Sequence, residues 1–144
     1  MPAWETALKR YARMVLAELG KDLWDLSVML CSDETMQALN SRYRGKAGTT
    51  DVLTFSLDEG EAFPVQGGIR RQAGDIVISL DSLAANARRF GISEDEELRR
   101  LLIHGILHLD GMDHRTNGKT EPMLQLQEQI LTKLSGESII GRNP

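Results

Sequence analysis

Cysteine is almost absent from this sequence, and Cys31 is its single example in 144 residues. A lone cysteine makes no internal disulfide, so we expect a chain suited to a reducing cytoplasm, with Cys31 as a small buried apolar residue. The sequence also lacks an apolar run of membrane-spanning length and the basic-then-apolar start of a secretory signal. These absences favour a cytoplasmic protein that makes no use of a membrane.

An excess of positive charge, which a general nucleic-acid-binding protein usually carries, is lacking too. The chain has 17 lysines and arginines against 21 aspartates and glutamates, a formal net charge of −4 at pH 7. This balance argues against broad electrostatic binding of nucleic acid and leaves room only for a local basic patch. Composition is otherwise ordinary, with 41% apolar residues, so we expect one domain over 1–144 with a loose tail at 137–144.

Short periodic segments separated by turn residues predict a mixture of helices and strands. Apolar spacing predicts five helices at about 4–19, 33–43, 81–90, 94–109 and 121–134. The expected caps are Ser32 or Asp33 for the second helix, Asp81 for the third and Ser93 for the fourth. Alternating or β-branched runs predict strands at 24–30, 51–57 and 75–80. The glycines and proline of 58–73 predict a long irregular loop. The pattern indicates an α+β fold, with a small mixed sheet packed against about five helices.

All the histidines of the chain stand in one segment, His104-Gly-Ile-Leu-His108-Leu-Asp-Gly-Met-Asp-His114. On a helix, residues i and i+4 lie on one face about 6 Å apart along the axis, so His104 and His108 can bind one ion. Gly111 tolerates the positive φ that ends a helix, which can bring His114 back toward the other two. Three imidazoles leave the fourth position of tetrahedral zinc to water, as in catalytic sites. The segment therefore predicts one zinc ion at the C-terminal end of a helix.

Other interpretations of these histidines stay open. A lone histidine on a helix usually has a structural role, but here the spacing of all three suits a metal. A structural ion closed by Cys31 or an aspartate would also use them. Gly105 stands where the zinc-protease pattern His-Glu-x-x-His has its glutamate base, so peptide hydrolysis by that mechanism is disfavoured. A glycine inside a helix also indicates that a strand or a substrate packs closely there.

The histidine segment resembles the signature of the YbeY family, the bacterial rRNA-maturation endoribonucleases, in which it reads H-G-x-L-H-L-x-G-Y-D-H. Two further segments are similar to the family in the same order along the chain. Residues 39–55 resemble L-N-x-x-Y-R-G-x-x-x-P-T-[DN]-V-L-S-F, and residues 74–79 resemble G-D-I-x-I-S. The chain departs from the pattern at positions other than the histidines, with Thr49 for proline, Ser56 where proline is common, Asp110 where leucine is frequent and Met112 for tyrosine.

The resemblance implies a mixed α+β fold, one zinc ion bound by His104, His108 and His114, and cleavage of single-stranded RNA. It implies a role in small-subunit rRNA processing and ribosome quality control, with the ribosome or its small subunit as a partner in the cytoplasm. It also implies that Arg44 and His114 act in catalysis, Arg44 as the basic residue that faces the metal cleft.

The residues by themselves support a metal more strongly than they support a phosphodiester substrate. Zinc lowers the pKa of bound water to about 7 and polarises a phosphoryl oxygen, while a guanidinium binds phosphate through two hydrogen bonds. Arg42, Arg44 and Lys46 form a local basic cluster that suits this task, or that only complements the dipole at a helix end. Arg70 and Arg71 either extend a track for an RNA backbone or are solvated loop charges.

Three aspartates have two interpretations each. Asp113 either orients a ligand histidine through its second ring N–H or bonds the backbone of the turn. Asp51 and Asp75, each at the start of a predicted strand, are similar cases. No side chain stands out as a general base.

Two functions stay open beside a zinc-dependent endoribonuclease. One is a metal-dependent hydrolase of another substrate, such as a peptide or a small phosphoester. The other is a non-catalytic ribosome-assembly factor in which zinc braces the fold. All of them share one expectation: ligand histidines must be neutral, so metal affinity should fall as the pH drops through about 6–7.

Overall fold

A computed structural model describes residues 3–57, 62–65, 68–114, 116, 118 and 120–141. The elements that they form are α1 (Glu5–Glu18), β1 (Trp24–Cys31), α2 (Asp33–Arg44), β2 (Val52–Ser56), β3 (Ala62–Val65), β4 (Gly68–Ser79), α3 (Leu80–Phe90), α4 (Glu94–Leu109) and α5 (Pro122–Lys133). The predicted α+β class is confirmed by these five helices and four strands. Of the described helices, none combines the length and the apolar character needed to cross a membrane.

The strands form a mixed sheet in the order β1-β4-β2, and β3 pairs with the first part of β4. β1 runs parallel to β4, whereas β2 and β3 run antiparallel to it. The register between β1 and β4 shifts after Asp25, and Gly74 has a φ of 146° at that irregularity. A β-carbon on Gly74 would collide with the carbonyl oxygen of Phe55, so only glycine fits at this point of the sheet.

Serine hydroxyls cap the N-termini of three of the helices. Ser32 and Ser93 cap α2 and α4, as predicted. The cap of α3 is Ser79, whose hydroxyl accepts a hydrogen bond from the N–H of Ser82 at 3.2 Å, so the prediction that Asp81 caps this helix is wrong. Asp81 instead accepts a hydrogen bond from the backbone N–H of Asp33 at 2.9 Å, which ties the start of α3 to the start of α2.

The predicted irregular loop at 58–73 is wrong where the structure describes it. Ala62–Val65 form β3 and β4 already begins at Gly68, and these two strands pair in an antiparallel ladder. Residues 58–61 and 66–67 lie outside the described residues. Glycine and proline have low strand propensity, but pairing with β1 and β3 supplies the backbone hydrogen bonds that make this segment a strand.

Helix α4 is the centre of the main apolar core, which lies between one face of the sheet and helices α1, α3 and α5. Several of its side chains are fully buried, namely Leu98, Leu102, Ile103, Ile106 and Leu107. Gly105 faces β4, and a β-carbon there would lie 2.9 Å from the side chain of Ile76. The close packing predicted at Gly105 is therefore packing against a strand. This contact holds the last turns of α4 against the sheet.

Helix α2 covers the other face of the sheet with a smaller core. Met36 of α2 packs there against Leu53 of β2 and Val77 of β4. Half-buried Cys31 packs beside them, and burial raises the pKa of its thiol. The two helices that carry the predicted site residues, α2 and α4, therefore lie on opposite faces of the sheet and approach each other around β2.

The segment that follows α5 is held against the core by contacts at residues 139 and 140. Ile139 is buried, and the backbone N–H groups of Ile139 and Ile140 both donate to a carboxylate oxygen of Asp95, at 2.7 and 2.8 Å. Asp95 belongs to the acidic first turn of α4, so the contact joins two segments distant in sequence. Ile139 and Ile140 are thus held inside the segment 137–144 for which a loose tail was expected, and 142–144 lie outside the described residues.

Candidate metal centre

The last two turns of α4 place His104 and His108 on one face, and the chain then leaves the helix through Gly111. Gly111 has a φ of 87°, a left-handed conformation that glycine adopts without strain, and His114 follows the turn. The centroids of the histidine rings lie 4.6, 5.3 and 6.0 Å apart. One nitrogen from each ring can be chosen so that all lie within 4.8 Å of one another. The structure therefore brings the predicted ligands together at the C-terminal end of the helix.

Each histidine ring makes a hydrogen bond to an oxygen atom through Nδ1. The acceptors, for His104, His108 and His114 in that order, are Oε1 of Gln127 at 2.6 Å, the carbonyl oxygen of Met112 at 3.0 Å and the carbonyl oxygen of Thr116 at 2.8 Å. A carbonyl oxygen only accepts hydrogen bonds, so each Nδ1 carries the proton of its neutral ring. The Nε2 atoms are thereby left as unprotonated nitrogens, which is the state that a metal ligand needs.

The donor set fits a metal ion. The Nε2 atoms of His104 and His108 lie 3.0 Å apart. Because both rings carry their proton on Nδ1, two lone pairs face each other at this distance, which is unfavourable unless a cation lies between them. Tetrahedral zinc with Zn–N bonds of about 2.0–2.1 Å would hold two such nitrogens about 3.4 Å apart. For His104 and His108, the observed spacing differs from the bound one by a few tenths of an ångström.

Burial keeps the two helical histidines neutral. Desolvation lowers the pKa of His104 below its ordinary value, although its hydrogen bond to Gln127 acts in the opposite direction. Desolvation likewise lowers the pKa of His108, against the effect of its hydrogen bond to the Met112 carbonyl. Both rings therefore hold the metal-binding form at neutral pH.

We expect the metal-free protein to lose stability as the pH falls below about 6.5, the value at which an unfolded chain protonates histidine. In the folded chain the pKa of His104 is lower than this value. Between the folded and the unfolded pKa the unfolded chain binds more protons, so the free energy of unfolding decreases as the pH falls. Urea unfolding from about pH 7.5 to 5.5 measures the effect against a His104→Gln variant. Below about pH 6.5 the wild type should lose up to about 1.4 kcal/mol more per pH unit than the variant. Equal losses would contradict the lowered pKa.

Arg44 and two of the histidines line one cleft of about 440 Å³. The cleft lies between the end of α2, the following loop, β2 and α4, and its lining residues are Asn40, Arg44, Lys46, Ala47, Thr49, Thr50, Asp51, Val52, Leu53, Thr54, His104 and His108. Nη2 of Arg44 donates a hydrogen bond to the carbonyl oxygen of Thr54 at 2.9 Å. This bond holds the guanidinium at the edge of β2 and inside this cleft.

The other predicted basic residues have different surroundings. Lys46 lines the cleft, whereas the guanidinium of Arg42 lies over the ring of Tyr43, 5.4 Å from its centroid. Arg70 is paired with Asp25, with Nε 3.1 and 3.0 Å from the two carboxylate oxygens. Neither Arg70 nor its exposed neighbour Arg71 is among the residues that line the cleft. Of the predicted basic residues, Arg44 and Lys46 are the ones that line the cleft with His104 and His108.

The three aspartates take structural contacts. Asp113 accepts a hydrogen bond from the backbone N–H of His114 at 2.8 Å, which is the turn interpretation of the two that we weighed. Asp75 lies on the exposed side of the sheet and accepts from the hydroxyl of Ser27. Asp51 does line the cleft, and one of its carboxylate oxygens accepts from Nδ2 of Asn86 at 3.0 Å.

Sequence analysis missed two residues that shape this site. Gln127 of α5 is 6% exposed and holds His104; a polar residue on the apolar face of a predicted helix was the available signal. Asn40 is also 6% exposed, and its amide donates to the carbonyl oxygen of Gly48 at 3.1 Å, which fixes the loop that lines the cleft. Its position inside the family-like segment was a signal for Asn40.

Three converging imidazoles, two of which line an open cleft together with an arginine, are the type of site found in metal-dependent hydrolases. The family model described as Endoribonuclease YbeY matches residues 2–135. The chain belongs to this family, which confirms the predicted membership and the prediction of a hydrolytic enzyme of the endoribonuclease class.

Individual relatives agree with the family match. A Treponema denticola protein named Endoribonuclease YbeY is 44% identical over 132 residues, which cover 92% of this chain and 84% of that one. An Aquifex aeolicus protein of the same name is 40% identical over 129 residues, covering 89% and 82% of the two chains. The solution structure of a Thermotoga maritima protein superposes with a TM-score of 0.61 at 30% identity, covering 92% of this chain and 82% of that one.

Proposed function

We propose that this chain is a zinc-dependent endoribonuclease that cleaves single-stranded RNA during small-subunit rRNA maturation and ribosome quality control in the cytoplasm. The observation that carries the proposal is the convergence of the three histidines, two of which line the cleft that holds Arg44. Its test is the difference in cleavage of labelled single-stranded RNA between the zinc-loaded protein and a His108→Ala variant. Equal cleavage by the two proteins would reject it.

His104, His108 and His114 would hold the metal through Nε2. Three imidazoles without a thiolate or a carboxylate favour zinc among the common divalent ions. When bound there, zinc supplies Lewis acidity toward a phosphoryl oxygen and lowers the pKa of water. The remaining chemistry belongs to the protein, whose hydrogen bonds at Nδ1 hold the rings in the ligand tautomer.

Arg44 supplies the group that suits a phosphodiester. A guanidinium placed in advance where charge develops on a phosphate stabilises the transition state without reorganising at the moment of reaction. Among the described residues, Thr54 is the hydrogen-bond partner of Arg44 through Nη2, which leaves the other N–H groups of Arg44 for a substrate. Lys46 on the same rim adds positive charge. A net negative chain can thus bind a polyanion at this local patch, where both cations lie.

A zincin-like peptidase, the first alternative, finds less support. Its glutamate base would have to stand at position 105, and the space beside Gly105 is filled by the side chain of Ile76. A glutamate at this position would be directed into the core and away from the cleft, because Ile76 is fully buried. We therefore assign RNA to the cleft in preference to a peptide.

An exposed tyrosine that packs on a half-buried phenylalanine supports a single-stranded substrate. Tyr43 is 58% exposed and packs edge-on against Phe55, with ring centroids 5.6 Å apart. Tyr43 precedes Arg44 in α2, and Phe55 follows Thr54 in β2, so the pair lies next to the contact that anchors Arg44. Unpaired bases commonly stack on exposed aromatic rings beside basic residues. We assign a base of the RNA to Tyr43.

Replacing Tyr43 with alanine should weaken binding of a single-stranded oligoribonucleotide about 5- to 150-fold, since stacking of one base contributes about 1–3 kcal/mol. Tyr43→Phe keeps the ring and should bind as the wild type does. Fluorescence anisotropy with a labelled oligonucleotide measures both variants.

Phe90 offers a matched control for this experiment. It is 60% exposed at the end of α3, and the guanidinium of Arg89 lies 5.5 Å from its ring centroid. It thus reproduces the aromatic–arginine pair of Tyr43 and Arg42 at the end of α3. Neither ring lines the cleft itself, but Tyr43 adjoins Arg44 of the cleft and Phe90 adjoins no residue that lines it. Equal loss of binding in Phe90→Ala and Tyr43→Ala, or no loss in either, would remove Tyr43 from the substrate site.

A further inference from the structure

Gln127 is a polar side chain in the middle of an apolar helix face. It lies between buried Met123 and Ile130, which are about one turn before and after it in α5, and it is 6% exposed. An amide at such a position costs stability unless both of its ends are hydrogen-bonded. Oε1 lies 2.6 Å from Nδ1 of His104, and Nε2 donates to a carboxylate oxygen of Glu128 at 3.1 Å. Both ends are thus satisfied.

Contacts with surface residues fix the orientation of the Gln127 amide. A carboxylate only accepts hydrogen bonds, so the NH₂ end of Gln127 must face Glu128 and its oxygen must face His104. Glu128 is held in turn by Arg100, whose Nε and Nη2 atoms donate to its carboxylate at 3.0 and 3.1 Å. The same guanidinium also donates to Glu96 at 3.1 Å. A continuous series of hydrogen bonds therefore connects the surface with a histidine of the metal centre.

We infer that Gln127 is the positioning residue of His104, and that the Glu128–Arg100 pair keeps its amide in the orientation that leaves Nε2 of His104 free for the metal. The inference rests on metal binding in the proposed function and adds a residue outside the ligand set. Without an acceptor at Nδ1, the neutral ring gains by moving its proton to Nε2, and that proton must then be displaced before a metal binds. The hydrogen bond to Gln127 keeps the proton on Nδ1, so no proton has to leave Nε2 when the metal binds.

The test is zinc affinity, measured by competition with a chromophoric chelator, for the wild type and for Gln127→Met. Methionine matches the size and the apolar surroundings of Gln127 but accepts only weakly, so the variant should bind zinc about 10- to 100-fold more weakly. The double variant Gln127→Glu/Glu128→Gln places an acceptor at Nδ1 of His104 and an amide donor opposite it at position 128, so it should bind zinc within a few-fold of the wild type. Gln129→Met repeats the substitution at an exposed position of the same helix and should change nothing.

A purely structural role would give a different result. If Gln127 only braced α4 against α5, Gln127→Met would change the melting temperature of the metal-free protein but not its zinc affinity. The absorption spectrum of the Co²⁺-substituted protein reports ligand geometry directly, and it should change in Gln127→Met and not in Gln129→Met. Glu128 is exposed, so Glu128→Ala should fold as the wild type does. It should weaken zinc binding by a smaller factor than Gln127→Met does.

The outcomes separate this inference from the proposed function. Zinc binding by the wild type with an unchanged affinity and Co²⁺ spectrum in Gln127→Met would overturn the role of Gln127 and leave the zinc enzyme standing. A wild type that binds no zinc would reject the proposed function and this inference together. Weaker binding by Gln127→Met that Gln127→Glu/Glu128→Gln does not restore would overturn the hydrogen-bond mechanism, because size and burial would then be the cause.

Discussion

Replacing His108 with alanine is expected to lower cleavage of single-stranded RNA at least about 100-fold and to abolish stoichiometric zinc binding. Loss of a residue that only orients a zinc ligand typically costs about 10- to 100-fold, so loss of a ligand should cost no less than the upper end of this range. Two ligands remain in the variant, His104 and His114. The measurements are the initial rate on a labelled oligoribonucleotide and the zinc content per chain.

Contaminating ribonucleases are the main hazard of this experiment, and the matched variant removes it. Wild type and His108→Ala are expressed and purified in parallel, and only the difference between their rates is assigned to the site. A nuclease carried through the preparation would cleave equally in both. Equal rates together with zinc loss in the variant would count against catalysis at this centre.

The same variant also addresses the assembly-factor alternative. If zinc only braces the fold, His108→Ala should melt at a lower temperature while neither protein cleaves RNA. In the enzyme, the rate difference should persist at temperatures where both proteins are fully folded. Circular dichroism across the assay temperature is therefore measured on both proteins.

Replacing Arg44 with alanine is expected to lower kcat for RNA cleavage by about 100- to 1000-fold, the usual cost of losing one preorganised group at a developing charge. Zinc content should not change, because Arg44 is bonded to the Thr54 carbonyl and to none of the histidines. Arg44→Lys keeps the charge but loses the planar fork that binds phosphate through two hydrogen bonds, so its rate should fall between the two. Single-turnover rates at saturating enzyme separate this effect from weaker binding.

Arg89 is the control for Arg44. Both arginines lie in the last turn of a helix and are exposed, Arg44 in α2 and Arg89 in α3, so Arg89→Ala removes the same charge from a similar position. It does not line the cleft, and its rate should equal that of the wild type. An Arg44→Ala enzyme as fast as Arg89→Ala would exclude Arg44 from the mechanism.

Taken together, the predictions separate holding the metal from using it. His108→Ala should lose zinc and rate together, while Arg44→Ala should lose rate and keep zinc. Tyr43→Ala should lose substrate affinity and keep zinc. A variant that loses its fold would lose zinc, substrate affinity and rate together and would support none of these assignments. The melting temperature and the zinc content are therefore measured for every variant.

Local features of the sequence predicted the histidine centre because its geometry is local. His104 and His108 are one helical turn apart, and the positive φ of Gly111 brings His114 back within a few residues. Helix starts at Ser32 and Ser93 were predictable for the same reason, since a cap bonds to a backbone group only a few residues away. The resemblance to the YbeY family added the expectation for Arg44, which geometry alone did not supply.

Other features depend on contacts between distant residues, and only the tertiary structure decided them. β4 extends back to Gly68 because β1 and β3 pair with it, which local glycine content does not predict. Residues 139–140 are held because Asp95, far away in the sequence, accepts their N–H groups. Local propensity describes the preference of a segment by itself, and partners from elsewhere in the chain override it.

The sequence by itself therefore determined which histidines converge, since a helix repeats every few residues and carries that spacing wherever it packs. The tertiary structure decided what surrounds the centre. It placed Arg44 against Thr54 on the cleft side of β2, Ile76 against Gly105, and Gln127 against His104. These pairs join elements far apart in sequence, so their proximity is a property of how the helices and the sheet pack, and no local pattern encodes it.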